Sequence, residues 1–143
     1  GRTRNRPVAF ISGFGLTSGA LATSTAPDDN NIVCVGTNPE DMAVAINHII
    51  AGNGGQVVVD GGKVTCSLPL PIGGIVSDLE PDEMARRETA LDEAARALGC
   101  RLPWPFMYMF VLQITAIPDY AITDLGAIDC IDLKVVDPVY APF

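Results

Sequence analysis

Two adjacent glycines constrain this chain more than any other feature. Gly61 and Gly62 separate residues 56–60 (QVVVD) from residues 63–68 (KVTCSL). A two-residue turn between paired strands needs left-handed backbone, which glycine adopts without steric cost. The segment therefore reads as a β-hairpin. Its second strand alternates, with Val64, Cys66 and Leu68 on one face and Lys63, Thr65 and Ser67 on the other. Fourteen glycines and eleven prolines among 143 residues exceed the average share of about 12%. They spread the same punctuation along the chain and imply short elements joined by tight turns.

Hydrophobic periodicity fills in the remaining elements. Residues 7–12 (PVAFIS) and 16–25 (LTSGALATST) read as two strands about a Gly13-Phe14-Gly15 turn. Residues 32–36 (IVCVG) form a nearly continuous apolar run, as expected of a central strand covered on both faces. A first helix follows, with Thr37 or Asn38 as N-cap, Pro39 at the first position, and Glu40 and Asp41 at the positive end of the dipole. Met42, Ala45, Ile46, Ile49 and Ile50 give its apolar stripe, and the glycines at 52–55 end it. Residues 69–74 (PLPIGG) must form a shaped loop.

The second helix has Ser77 and Glu80 at capping-box spacing and Pro81 in its first turn. Its buried stripe is Met84, Leu91, Ala94, Ala95 and Leu98, opposite a charged face that includes Arg86, Arg87, Glu88 and Asp92. Pro103-Trp104-Pro105 is a rigid connector, residues 106–117 read as a long strand, and residues 120–136 offer two short strands broken at Gly126. The order predicts one α+β domain over residues 1–143: a single, mostly antiparallel or mixed sheet of about six strands, with two helices packed on one face.

Apolar residues at 48% and charged residues at 18% exclude an intrinsically disordered chain. Nine basic against 17 acidic side chains give a net charge of −8, which repels a phosphate backbone or an acidic membrane surface and argues against nucleic acid and membrane as partners. The longest strongly apolar run, residues 106–112, is far shorter than the ~20 residues a spanning helix takes. The start carries no basic-then-apolar leader, so a cytoplasmic protein is expected.

The chemical inventory is sparse. His48 is the single histidine, and Cys34, Cys66, Cys100 and Cys130 each stand at least 30 residues from the next. A structural zinc site uses closely spaced Cys or His pairs, and a His-rich catalytic metal centre needs several imidazoles, so no metal is expected in this chain. The cysteines read as reduced packing residues. His48 lies off the apolar stripe and reads as a solvated helix residue. Ser12 and Ser24 lack a G-x-S-x-G context, and the glycine clusters lack a phosphate-loop pattern. Trp104 and Phe106 could line a pocket or lid the core. The densest polar cluster is Asp28, Asp29, Asn30 and Asn31. Adjacent carboxylates and amides suit a cation or a polar ligand; they are also what turns use, because their side chains bond local backbone.

Three stretches carry a family resemblance. They are Ser12-Gly13-Phe14-Gly15-Leu16 with Gly19-Ala20-Leu21-Ala22, then Asn31-Ile32-Val33-Cys34-Val35-Gly36-Thr37-Asn38 with Glu40-Asp41-Met42, then Leu68-Pro69-Leu70-Pro71-Ile72 with Ser77-Asp78. Pro105-Phe106-Met107 also fits. In order and spacing the chain resembles the C-terminal domain of bacterial adenine deaminase, of the amidohydrolase superfamily. The resemblance implies a parent that hydrolyses adenine to hypoxanthine and ammonia, using water activated by a divalent metal, Mn or Fe, held on a preceding TIM-like barrel that is missing here.

Between Ala26 and the second stretch the family typically reads His-Asp-Ser-His-Asn, whereas this chain has Pro27, Asp28, Asp29, Asn30 and Asn31. Only Asp28 and Asn31 match, so these two carry over as substrate-binding candidates, with Asp29 and Asn30 beside them. The resemblance implies no catalytic residue in this chain, the barrel as partner, and a purine as ligand. Surface left bare by the barrel would favour a homo-oligomer. The alternative is a stand-alone, non-catalytic relative that binds a small polar ligand or serves as an oligomerisation module.

Overall fold

The computed structural model describes residues 6–26 and 31–137. Its first sheet has four strands: β1 (Ala20–Thr23), β2 (Val33–Gly36), β3 (Gly55–Asp60) and β4 (Lys63–Pro69). They are antiparallel throughout, in the order β2-β1-β3-β4. Helix α1 (Pro39–Ala51) links β2 to β3, and α2 (Pro81–Ala97) and α3 (Pro105–Val111) follow β4. The chain then forms a second antiparallel sheet from β5 (Tyr120–Thr123), β6 (Gly126–Asp129) and β7 (Lys134–Val136).

The α+β class holds, but the arrangement within it differs in three respects. The single sheet of about six strands is two sheets, of four and three strands. The two long helices pack on opposite faces rather than on one. Residues 106–111, read as the start of a long strand, are helical and belong to α3.

Side-chain alternation explains the opposed helices. On β1 and β3, Ala20, Ala22, Val57 and Val59 point to one face, where they meet Ala45 and Ile49 of α1. Leu21 and Val58 point the other way, into a larger cluster with Leu68, Leu91, Ala95, Leu98, Phe106 and Met109. Both faces of the central strands β1 and β3 are thus covered, which is why residues 57–59 and 20–22 read as continuous apolar runs, whereas the edge strand β4 alternates. β2 follows the same logic: it is an edge strand, not a central one, yet Val35 and Cys34 pack into opposite clusters.

Local signals account for the element ends. Gly61 and Gly62 have φ of 56° and 76°, and they close the β3–β4 hairpin. Thr65 is the extra residue of a bulge between Val58 and Val59, where its hydroxyl donates to the Val58 carbonyl at 3.1 Å. Asn38 caps α1, its Oδ1 accepting from the Asp41 amide at 2.8 Å. On α1, Ala45 and Ile49 are buried as expected, whereas Ile50 is exposed.

At α2 the N-cap is Glu80 without a side-chain bond, and Ser77 Oγ accepts from Leu79 N instead of capping the helix. Residues 13–17 strap onto the far end of α2: Thr17 N donates to Leu98 O at 2.8 Å and Arg101 N to Phe14 O at 3.0 Å. Trp104 takes left-handed backbone (φ 51°), and Pro105 starts α3 at the first helical position. Residues 7–12, expected as a strand, join neither sheet.

Candidate functional site

The loop that carries the sequence candidates leaves the end of β1 and enters β2. Asp28, Asp29 and Asn30 lie outside the described residues; Asn31 is half-buried, two residues before β2. What the described residues define is the rim from which the loop departs.

That rim is a clasp around Ser24. Its backbone amide donates to Gly55 O at 3.0 Å. Its hydroxyl accepts from Gly55 N at 2.8 Å and donates to Gly74 O at 2.5 Å. One serine thereby ties the end of β1 to the start of β3 and to the loop that follows β4. Thr23 Oγ1 accepts from Thr25 N at 3.0 Å in a local turn, and Gln56 Nε2 donates to Thr25 Oγ1 at 3.3 Å. Ala26 is buried beneath. The clasp needs glycine at 54: φ is 126°, and a β-carbon there would fall on the Gly74 Cα. The 69–74 loop anticipated from its prolines and glycines is thus one jaw of this rim. Ser24 itself carries no sequence signal, since its role depends on strands distant in sequence.

A second polar node lies at the opposite end of the sheet. Asp41 is buried, its Oδ1 accepting from Gly62 N at 2.6 Å and its Oδ2 from Asn38 Nδ2 at 2.8 Å. The Asn38 side chain, then the turn amides of Gly62 and Gly61, hold its carboxyl below the usual aspartate range. Asp41 therefore welds the hairpin turn to the start of α1. Its position in the first helical turn hinted only at the dipole, not at this bond.

The other candidates do not converge. His48 is exposed in the last turn of α1. All four cysteines are free. Cys34 faces α1, its thiol lying 3.9 Å from Met42 O, and burial pushes that thiol up to about 12. Cys66 and Cys100 belong to the cluster across the sheet. Burial also raises the Cys66 thiol, against the pull of Arg87, and raises that of Cys130, with Asp129 adding to it. Thiols raised in this way are weak nucleophiles, and Cys34 lies across the sheet from Cys66 and Cys100, so these three cannot share an ion. They do not fit the metal that the family resemblance implies. No group of three ligating side chains gathers among the described residues. Phe106 is buried in the core, while Trp104 is 70% exposed.

Fold and site define the class: an α+β module in which Ser24, at the end of β1, is hydrogen-bonded to Gly55 and Gly74. The model of the adenine deaminase C-terminal domain matches residues 1–134, and the chain belongs to that family. It is 70% identical over 139 residues to adenine deaminase 4 of Rhizobium meliloti, a match covering 97% of this chain and 23% of the relative. Adenine deaminase 1 of Desulfotalea psychrophila is 57% identical over 141 residues (99% and 24%), and adenine deaminase 1 of Latilactobacillus sakei 50% over 139 (97% and 23%). The chain thus spans about a quarter of the length of the curated relatives it matches.

Proposed function

We propose that this chain is a single domain, the C-terminal part of a cytoplasmic, adenine-deaminase-type hydrolase, and that it does not catalyse alone. The observation that carries the reading is the family match across residues 1–134, made by a chain that spans about a quarter of its relatives. The whole enzyme would convert adenine and water to hypoxanthine and ammonia, with its divalent metal, Mn or Fe, on a barrel outside this chain. No helix among the described residues is long and apolar enough to cross a membrane.

Within that enzyme the loop between Ala26 and β2 supplies polar contacts to the purine. Asp28 and Asn31 lead, because they match the family's pattern, with Asp29 and Asn30 beside them. The Ser24 clasp supports this reading, because a loop that must reach a ligand in another domain gains from a fixed base.

The test is a chimera in which this chain replaces the C-terminal part of the Rhizobium meliloti relative. The chimera should release ammonia from adenine, while the isolated chain with Mn²⁺, Fe²⁺ or Zn²⁺ should not. Asp28→Ala or Asn31→Ala in the chimera should raise KM roughly two- to tenfold, the worth of one hydrogen bond to a bound ligand. Ammonia release by the isolated chain, tracking its concentration, would refute the division of labour. Unchanged KM in both variants would remove the loop from the binding site.

A further inference from the structure

Residues 7–11 form a rib of exposed apolar side chains. Val8 is 71% exposed and Phe10 86%, while Pro7 and Ala9 between them are half-buried. Exposure thus alternates with the period of a strand, the large β-formers Val8 and Phe10 face outward, and the segment joins neither sheet. Open grooves flank the rib. One, of about 330 Å³, separates Arg6, Pro7 and Val8 from Leu125, Gly126 and Ala127 at the β5–β6 turn. The other, of about 340 Å³, lies between residues 8–16 and the edge strand β2. β2 ladders only with β1 among the described residues. Ile11 (40% exposed) and Leu125 (61% exposed) extend the apolar surface on either side.

We infer that this rib, with Leu125 beside it, is the surface on which the preceding part of the same polypeptide docks. The inference rests on the proposed placement of the chain within a longer enzyme. Three observations choose this occupant. The relatives are about four times the length of this chain, and the family is a C-terminal domain, so the additional polypeptide comes before it. The rib is the first described apolar segment, and so the one nearest in sequence to that additional polypeptide. A tethered partner docks as an intramolecular event at millimolar effective concentration, so a small apolar patch suffices. A second copy of the chain lacks that advantage: stable association between separate proteins buries about 1,200 Å² or more, and four side chains expose only a few hundred.

The experiment uses the chimera with p-benzoylphenylalanine placed in turn at Phe10, Leu125 and Glu88, the last on the exposed face of α2. Irradiation should link positions 10 and 125 to residues before the domain, within one chain. Linkage from position 88 should be at least tenfold weaker. Links from position 10 at the mass of a dimer would overturn the inference in favour of a second copy. Failure of positions 10 and 125 to link within the chain would overturn it outright.

Adenine deamination is measured in the same preparations. Activity without these links rejects the surface and keeps the functional reading; links without activity do the reverse. Hydrogen exchange on the unmodified Rhizobium meliloti relative gives a check independent of the chimera's folding. The segment aligned with residues 7–11 should exchange at least tenfold more slowly than a free extended segment, and exchange at the free rate would also overturn the inference.

Discussion

Asn38 serves two partners, the Asp41 amide and the Asp41 carboxylate. Replacing it with alanine should lower stability by about 1 kcal/mol, the usual cost of a lost helix cap, measured by urea denaturation. Asp41 adds a pH signature. Its folded-state carboxyl is held below the ordinary value near 4, so the stability it confers is present above that value. It disappears as pH falls through the lower, folded-state value. Asp41→Asn should therefore lower the urea midpoint at pH 7 and flatten its decline towards pH 3; an unchanged slope would show that the carboxylate is not clamped. Glu83 is also held low, by Arg87 and Arg86, but all three groups are solvated and screened by salt, so its variants should shift stability little. Gln113 is the opposite case: its amide is buried, and neither polar atom has a partner among the described residues. Gln113→Met removes a desolvated polar group at similar volume and should raise stability by about 1 kcal/mol in the same assay.

At the scale of the elements, the hairpin turn offers a clean test of backbone strain. A β-carbon at Gly61 would meet nothing within 4 Å, so any cost of Gly61→Ala comes from its φ of 56° alone. Roughly 1–2 kcal/mol of destabilisation is expected by denaturation. Leu91→Ala, at the centre of the α2 cluster, should cost 2–5 kcal/mol through lost burial and the cavity left behind, about the figure for such truncations. The hairpin, the Asn38 cap and the α2 stripe were legible in the sequence because each rests on chemistry within a few residues. α3 was not. Its seven residues are apolar and partly aromatic, and a run that short carries no period that separates a buried helix from a buried strand. Its start is set by left-handed Trp104, a conformation sequence gives no reason to expect. The opposed helices were hidden for a related reason: when Ala20 and Leu21 are both covered, alternation no longer says which face a helix takes.

For the whole molecule, the second sheet is the outlying part. Ala121 and Ile128 are its only buried apolar side chains among the described residues, while Ile131, Leu133 and Val135 stand 60–76% exposed. One backbone bond, Ile122 N to Leu112 O at 2.8 Å, ties β5 to the end of α3. Hydrogen exchange should therefore find β5–β7 opening at lower free energy than β1, β3 and α2; equal protection across both sheets would contradict this. Of the candidate site, the sequence revealed the polar cluster but not its support, because Ser24, Gly55 and Gly74 meet only once three distant segments are folded together. That support has an evolutionary corollary. A stretch whose base is locked by its neighbours can change its chemistry without disturbing the scaffold beneath. Pro27 and Asn30, standing where the resembled pattern has histidine, are changes of that kind: they alter the stretch's side chains and leave the Ser24 bonds to Gly55 and Gly74 in place.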